Sequence, residues 1–142
     1  MLASWETPTP IDPGEMDVEL DGDLSVASGY DTMHAVLLHN LRAEPLGLTT
    51  NGHLTAYVVD ALTGRRVGGY HDAQHRPGVG FTLSPGGVRR VPLPVGTASL
   101  AGDLCYAIPP GRWGVRAPLR LTDGRNLLIP ALPMTVTGPP LP

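Results

Sequence analysis

The chain has no lysine: all ten of its basic residues are arginine. We read this as the codon bias of a GC-rich genome, not as a functional device. A single cysteine, Cys105, excludes an internal disulfide. A lone thiol suits a reducing compartment, so a cytoplasmic protein is expected. The opening MLASWETPTPIDPGE has neither a basic n-region nor an apolar h-region and is not read as a secretion signal. No apolar run approaches the roughly 20 residues of a membrane-spanning helix, so no membrane partner is expected. Charged residues are scarce at 16%, and the net charge of −3 gives no global support for non-specific nucleic-acid binding. Aromatic residues, at 5%, are too few for base-stacking platforms. Nucleic acid is therefore not an expected partner.

What is present is turn chemistry. Gly and Pro number 18 and 16 in 142 residues, near a quarter of the chain, while 42% of residues are hydrophobic. A chain of this length forms one domain with a core of its own. Turn signals recur at Asp21-Gly22, Asn51-Gly52, Thr63-Gly64, Pro85-Gly86-Gly87, Pro109-Pro110-Gly111 and Asp123-Gly124. Short strands between such punctuation predict an all-β sandwich or barrel. The best helical candidate, TASLAGDLCY at 97–106, is interrupted by Gly102 and allows one or two turns at most.

The clearest strand runs from Trp113 to Leu121. Trp113, Val115, Ala117, Leu119 and Leu121 alternate with Gly114, Arg116, Pro118 and Arg120, so one face is buried and one wet. Asp123-Gly124 turns it into a partner over Leu127 to Val136, which Pro130 and Pro133 interrupt; that partner changes neighbours midway or lies at an edge. Met33 to Leu41 is apolar on both faces and therefore central. His53 to Asp60 is a third strand, with Leu54, Ala56 and Val58 on one face, and Thr63-Gly64 turns it into Arg65 to Tyr70. An opening pair flanks Asp21-Gly22. In Val88 to Val95, Pro92 and Pro94 share parity, so both missing N–H groups fall on one edge and predict a solvent-facing edge strand with Val91, Leu93 and Val95 inward. The expectation is a single immunoglobulin-like antiparallel β-sandwich of about seven strands over 14–137, with little or no helix. It has an extended lead-in over 1–13 and a Pro-rich tail over 138–142.

Candidate chemistry is thin. His71 and His75 bracket Asp72 in a pattern that imitates the zincin motif. That motif needs a helix, and Gly68-Gly69 and Pro77-Gly78 leave only about seven residues for one. No third ligand is evident nearby, and the segment reads as a polar loop. His34, His39 and His53 are scattered in strands and read as boundary residues. Cys105 has apolar neighbours and no nearby cation, so it reads as a core residue. Glu19, Asp21 and Asp23 flank a hairpin turn, where such residues are ordinary turn chemistry as well as calcium ligands. No nucleophile elbow, P-loop or dinucleotide fingerprint is present. No metal, no cofactor and no catalytic residue are therefore assigned. Arg112, Arg116 and Arg120 share parity and line a wet face, which fits contact with another protein. The candidate partner-binding residues are Tyr70, His71, His75, Phe81, Arg112, Arg116 and Arg120.

Several stretches follow one another in a recognisable order. Asn40 ends a strand and begins a polar turn. Tyr57-Val58-Val59-Asp60 runs into Thr63-Gly64. Phe81 precedes Leu83-Ser84-Pro85-Gly86, and Pro110-Gly111-Arg112-Trp113 opens a late strand. Across about residues 33–121 this order resembles the BsuPI-type intracellular proteinase inhibitor domain, a small bacterial immunoglobulin-like sandwich. The resemblance implies inhibition of an intracellular serine protease, without marking a reactive-site residue here. The expected function is a non-catalytic protein-binding module, with protease inhibition as its specific form and long loops at 71–87 and 96–111 or a sheet edge as the contact. The alternative is a structural or assembly component, an accessory domain of a larger particle or a homo-oligomer.

Overall fold

A computed structural model of the protein describes residues 9–50, 54–69, 79–100 and 107–138, and of Val79 the backbone alone. Thirteen strands run through them: β1 (Thr9–Pro10), β2 (Met16–Leu20), β3 (Ser25–Ala27), β4 (Thr32–Asn40), β5 (Leu46–Thr50), β6 (Tyr57–Asp60), β7 (Arg66–Gly68), β8 (Val79–Leu83), β9 (Val88–Val95), β10 (Gly111–Arg116), β11 (Pro118–Leu121), β12 (Asn126–Leu128) and β13 (Leu132–Thr137). No helix occurs among the described residues.

The alternation over 113–121 does what period two requires. Val115, Ala117, Leu119 and Leu121 are buried, while Arg116 is half-buried and Pro118 and Arg120 are exposed. This one stretch supplies the centre of two sheets, ordered β1-β12-β11-β5-β8 and β3-β13-β10-β6-β7. It breaks at Ala117 because its partner breaks too: residues 129–131, with Pro130, separate β12 from β13. The Ile129 N–H donates to the Ala117 carbonyl across the joint at 3.1 Å. As the two prolines predicted, the partner stretch changes its outer neighbour midway, from β1 to β3. Those two pairings are parallel; the others among the described strands are antiparallel.

The third sheet is β2-β4-β9, with β4 central, as its two apolar faces required. Val18, Val36, Leu38, Val91 and Leu93 from this sheet meet Leu48, Val58, Val115, Leu119 and Met134 from the other two in one core. Taking β5–β6, β7–β8, β10–β11 and β12–β13 as long interrupted strands leaves nine, two of them the short β1 and β3, and the molecule is an immunoglobulin-like β-sandwich.

Four expectations need correction. The segments flanking Asp21-Gly22 do not pair with each other: β2 pairs with β4 and β3 with β13, so the chain changes sheets there. The loop expected over 71–87 contains β8, which pairs with β5, itself unread in the sequence. The strand expected from His53 begins only at Tyr57, although Leu54, Ala56 and Val58 are all buried as foreseen. β9 is the expected edge strand with Val91, Leu93 and Val95 inward, but its outer edge is not left to solvent: the Leu54 N–H donates to the Pro92 carbonyl at 3.0 Å. The Asn51-Gly52 turn lies outside the described residues.

Candidate functional site

The outward positions of β10 are Arg112, Gly114 and Arg116. Gly114 has no side chain where its neighbours crowd in: a Cβ there would lie 3.1 Å from Val59 Cγ2 and 3.3 Å from Ala131 Cβ. A shallow cleft of about 310 Å³ lies beside it, lined by Ala61, Arg112, Trp113, Ala131, Pro133 and Met134 among others. The Trp113 indole is fixed at the rim, because its Nε1–H donates to the Pro109 carbonyl at 3.0 Å. Arg116 Nε donates to the Ile129 carbonyl at 3.1 Å. That oxygen is left without a ladder partner by the break at 129–131, so this guanidinium is occupied by the fold. Arg66 stacks over the Tyr57 ring at 4.4 Å on the same face.

Beside the cleft stands the β6–β7 hairpin. Its tip carries Leu62 at 96% exposure. The turn beneath it is held from all sides. The Asp60 carboxylate accepts from the N–H groups of Leu62 (2.8 Å) and Thr63 (3.0 Å). The Gly64 N–H donates to the Asp60 carbonyl at 2.9 Å, and the Asp60 N–H to the Arg65 carbonyl at 2.8 Å. Gly64, at φ 74°, supplies the left-handed residue that closes the turn. The Thr63 and Leu62 amides hold the Asp60 carboxyl below the ordinary carboxylate range. An apolar side chain on a braced turn, next to a concave apolar floor with an arginine rim, can dock a protein surface at little ordering cost.

A second, smaller pocket of about 150 Å³ lies at one end of the sandwich, with Ile11, Met16, Leu46, Leu121 and Leu127 in its lining. Its two guanidiniums are already engaged. Arg42 pairs with Glu44 at 2.6 Å, which raises its pKa, and Arg125 pairs with Asp123 at 2.9 Å.

The residues singled out in the sequence are not brought together. Arg112 lines the cleft, Arg116 is tied to the Ile129 carbonyl, and Arg120 lies further along on β11, opposite Thr49. Phe81 is half-buried, packs against the core and is covered by Arg89 at 4.2 Å. Tyr70, His71 and His75 lie outside the described residues, as do His53 and Cys105. Asp21 is ion-paired with Arg90 at 2.7 Å, and no group of three potential metal ligands forms among the described residues. His34 contacts the Gly22 carbonyl at 3.1 Å. Leu62, Gly114, Ala131 and Pro133 were not anticipated. The one available signal was Leu62 itself, an apolar residue inside an Asp-x-x-Thr-Gly turn.

No family model matches the chain, and no curated protein matches it in sequence. Among solved structures it is similar to the CARDB domain of a Pyrococcus furiosus protein, solved with di-metal ions. The identity is 12%, over 88% of this chain and 94% of that one, with a TM-score of 0.45. It is also similar to the PapD-like domain 7 of human CEP192, at 11% identity over 99% and 98% of the two chains, TM-score 0.37. A third is the CooA pilin subunit of enterotoxigenic Escherichia coli, at 11% identity over 89% and 99%, TM-score 0.34. At such scores these likenesses carry no argument about function.

Proposed function

We propose that the chain is a non-catalytic protein-binding module that docks its partner on the outer face of β6, β10 and β13. The carrying observation is Leu62, almost fully exposed on a turn whose Leu62, Thr63 and Gly64 amides are held, beside the cleft over Gly114. Affinity capture from a lysate with the wild-type protein and with Leu62→Asp as parallel baits tests it. A partner held by the first and lost by the second supports the site; equal retention by both refutes it.

A more specific form of the same reading is inhibition of an intracellular serine protease. It is favoured by where the BsuPI-like stretches fall: Asn40 closes β4, Tyr57–Asp60 is β6, Leu83 closes β8, and Gly111-Arg112-Trp113 opens β10. Substrate-like insertion of the Leu62 hairpin is disfavoured, because a protease cleft pairs with extended backbone and the Leu62 and Thr63 amides already serve Asp60. Inhibition through this site would therefore work by covering the protease surface. Titrating such proteases with stoichiometric protein is the measurement, and undiminished activity across the panel removes this form.

A further inference from the structure

The charges of this chain are sorted along the sequence. Residues 1–41 carry eight carboxylates and no arginine, a net −8. Residues 42–142 carry ten arginines and five carboxylates, a net +5. The fold turns that sorting into two opposed faces. On the outer face of β2-β4-β9, the β2 row presents Asp17 and Glu19, followed by Asp21, opposite His39, Leu37 and Ala35 of β4. The same face has one arginine, Arg90, which Asp21 already pairs. The outer face of the long-strand sheets carries Arg66, Arg112, Arg116 and Arg120, and no described strand position on it holds a carboxylate.

The two faces also match in their apolar features. The acidic face bears two exposed apolar side chains, Met33 and Val88, at 67% and 58%. The basic face bears the apolar cleft over Gly114.

We propose that the occupant of the basic face is the acidic face of a second copy of this chain. The proposal rests on the reading of that face as a docking surface and names its partner. The contact is heterologous: each copy uses one face to receive and the opposite face to be received, so the assembly grows as a ring or a filament rather than closing as a two-fold dimer. Asp17 and Glu19 of one copy meet the Arg112 guanidinium of the next, and a flexible Met33 supplies an apolar side chain to the cleft.

Sedimentation velocity of the full chain at high concentration tests this, at about 0.02 M and about 0.5 M salt. The expected result is a mass rising above the 15.0 kDa monomer with concentration at low salt and returning to it at high salt. Two double variants make the test independent of folding. Arg112→Glu with Arg120→Glu makes both faces acidic, and Asp17→Arg with Glu19→Arg makes both basic. Each should sediment as a monomer alone, and an equal mixture should associate. A monomeric wild type at low salt, self-association by either variant, or a mixture that stays monomeric overturns the proposal. If the wild type is monomeric yet Leu62→Asp still loses a captured partner, the docking face stands and only its occupant changes.

Discussion

Asn40 is the polar side chain on which the end of the sandwich nearest Leu83 and Glu44 depends. It is fully buried at the close of β4. Its Nδ2 donates to the carbonyls of Glu44 (2.9 Å) and Leu83 (3.1 Å), with the Ser84 carbonyl at 3.4 Å, and its Oδ1 accepts from the Arg42 N–H at 2.9 Å. Its own N–H and C=O bind Gly87 and Gly86. In Asn40→Ala the backbone bonds survive and the side-chain bonds do not. The Leu83 carbonyl, whose bond is buried, loses its partner at a cost of about 1–3 kcal/mol; the Glu44 and Arg42 groups are nearer water and cost about 0.5–1 kcal/mol together. The expected loss is about 1.5–4 kcal/mol. For a chain of this size that is a drop in Tm of roughly 4–12 °C, readable by circular dichroism or calorimetry. Asn40→Asp sharpens the test. It keeps the shape but aims a carboxylate oxygen at carbonyl oxygens, so the charged form is disfavoured and its folded pKa is raised. The variant should therefore recover stability relative to wild type as pH falls through that value. An alanine variant within about 0.5 kcal/mol of wild type, or an aspartate variant with no pH dependence of its own, would refute this account of the loop.

Two further perturbations separate other causes. Gly68, at φ 142°, would press a Cβ onto the Ala98 carbonyl and within 2.9 Å of the Leu100 nitrogen, whereas Gly64, at φ 74°, has open space around it. Gly68→Ala should cost about 2–4 kcal/mol in denaturant unfolding, and Gly64→Ala only about 1 kcal/mol, since it pays for conformation without a clash. Asp60, held low by the Thr63 and Leu62 amides, contributes stability that is present above the ordinary carboxylate value of about 3.9 and lost as pH falls through its depressed folded value. Wild type should therefore exceed Asp60→Asn in thermal stability at neutral pH, with the difference fading in acid; a constant difference across that range would show that the carboxylate is not what braces the hairpin.

What was legible in the sequence was whatever a strand writes in its own residues. Five alternating apolar positions over 113–121, the Asp123-Gly124 turn, the two same-parity prolines of β9 and the two-faced apolarity of β4 each needed no knowledge of a neighbour. β5 and β8 were not legible because each is a strand only in the presence of the other. Leu46-Gly47-Leu48-Thr49-Thr50 has two large apolar residues, and its Gly47 is accounted for by the Thr122 side chain, which packs where a Cβ would stand. Val79–Leu83 contains Gly80 and is bordered by turn residues. The site divided in the same way. The shared parity of Arg112, Arg116 and Arg120 was visible. That Arg116 is committed to the Ile129 carbonyl depends on where a partner strand breaks, which its own neighbours do not encode. Gly114 looked like any glycine on a wet face until Val59 of β6 and Ala131, in the break before β13, closed on it.

The edges of the sheets bear on where a partner can sit. Strand addition was one expected mode of contact, since an unpaired edge offers a row of ready donors and acceptors. On β9 that row is depleted: Pro92 and Pro94 have no N–H, and the Pro92 carbonyl is taken by Leu54. Between β9 and β7 the gap is bridged by residues 96–100. The Gly96 N–H donates to the Gly69 carbonyl, the Leu100 N–H to the Val67 carbonyl at 2.8 Å, and Ser99 sits opposite Gly68. On β2 the outward amides are those of Val18 and Leu20, because Asp21 and its odd-numbered neighbours face β4. An incoming strand there would lie against Asp17 and Glu19, which repel any strand that is not itself basic. β3 is only three residues long. Of the edges at β9, β2 and β3, then, the first is depleted and bridged, the second charged and the third short, while the broad outer face of β6, β10 and β13 keeps a cleft, an exposed leucine and an arginine without an ion pair among the described residues. The proposed partner would gain more by covering that face than by extending any of these three edges.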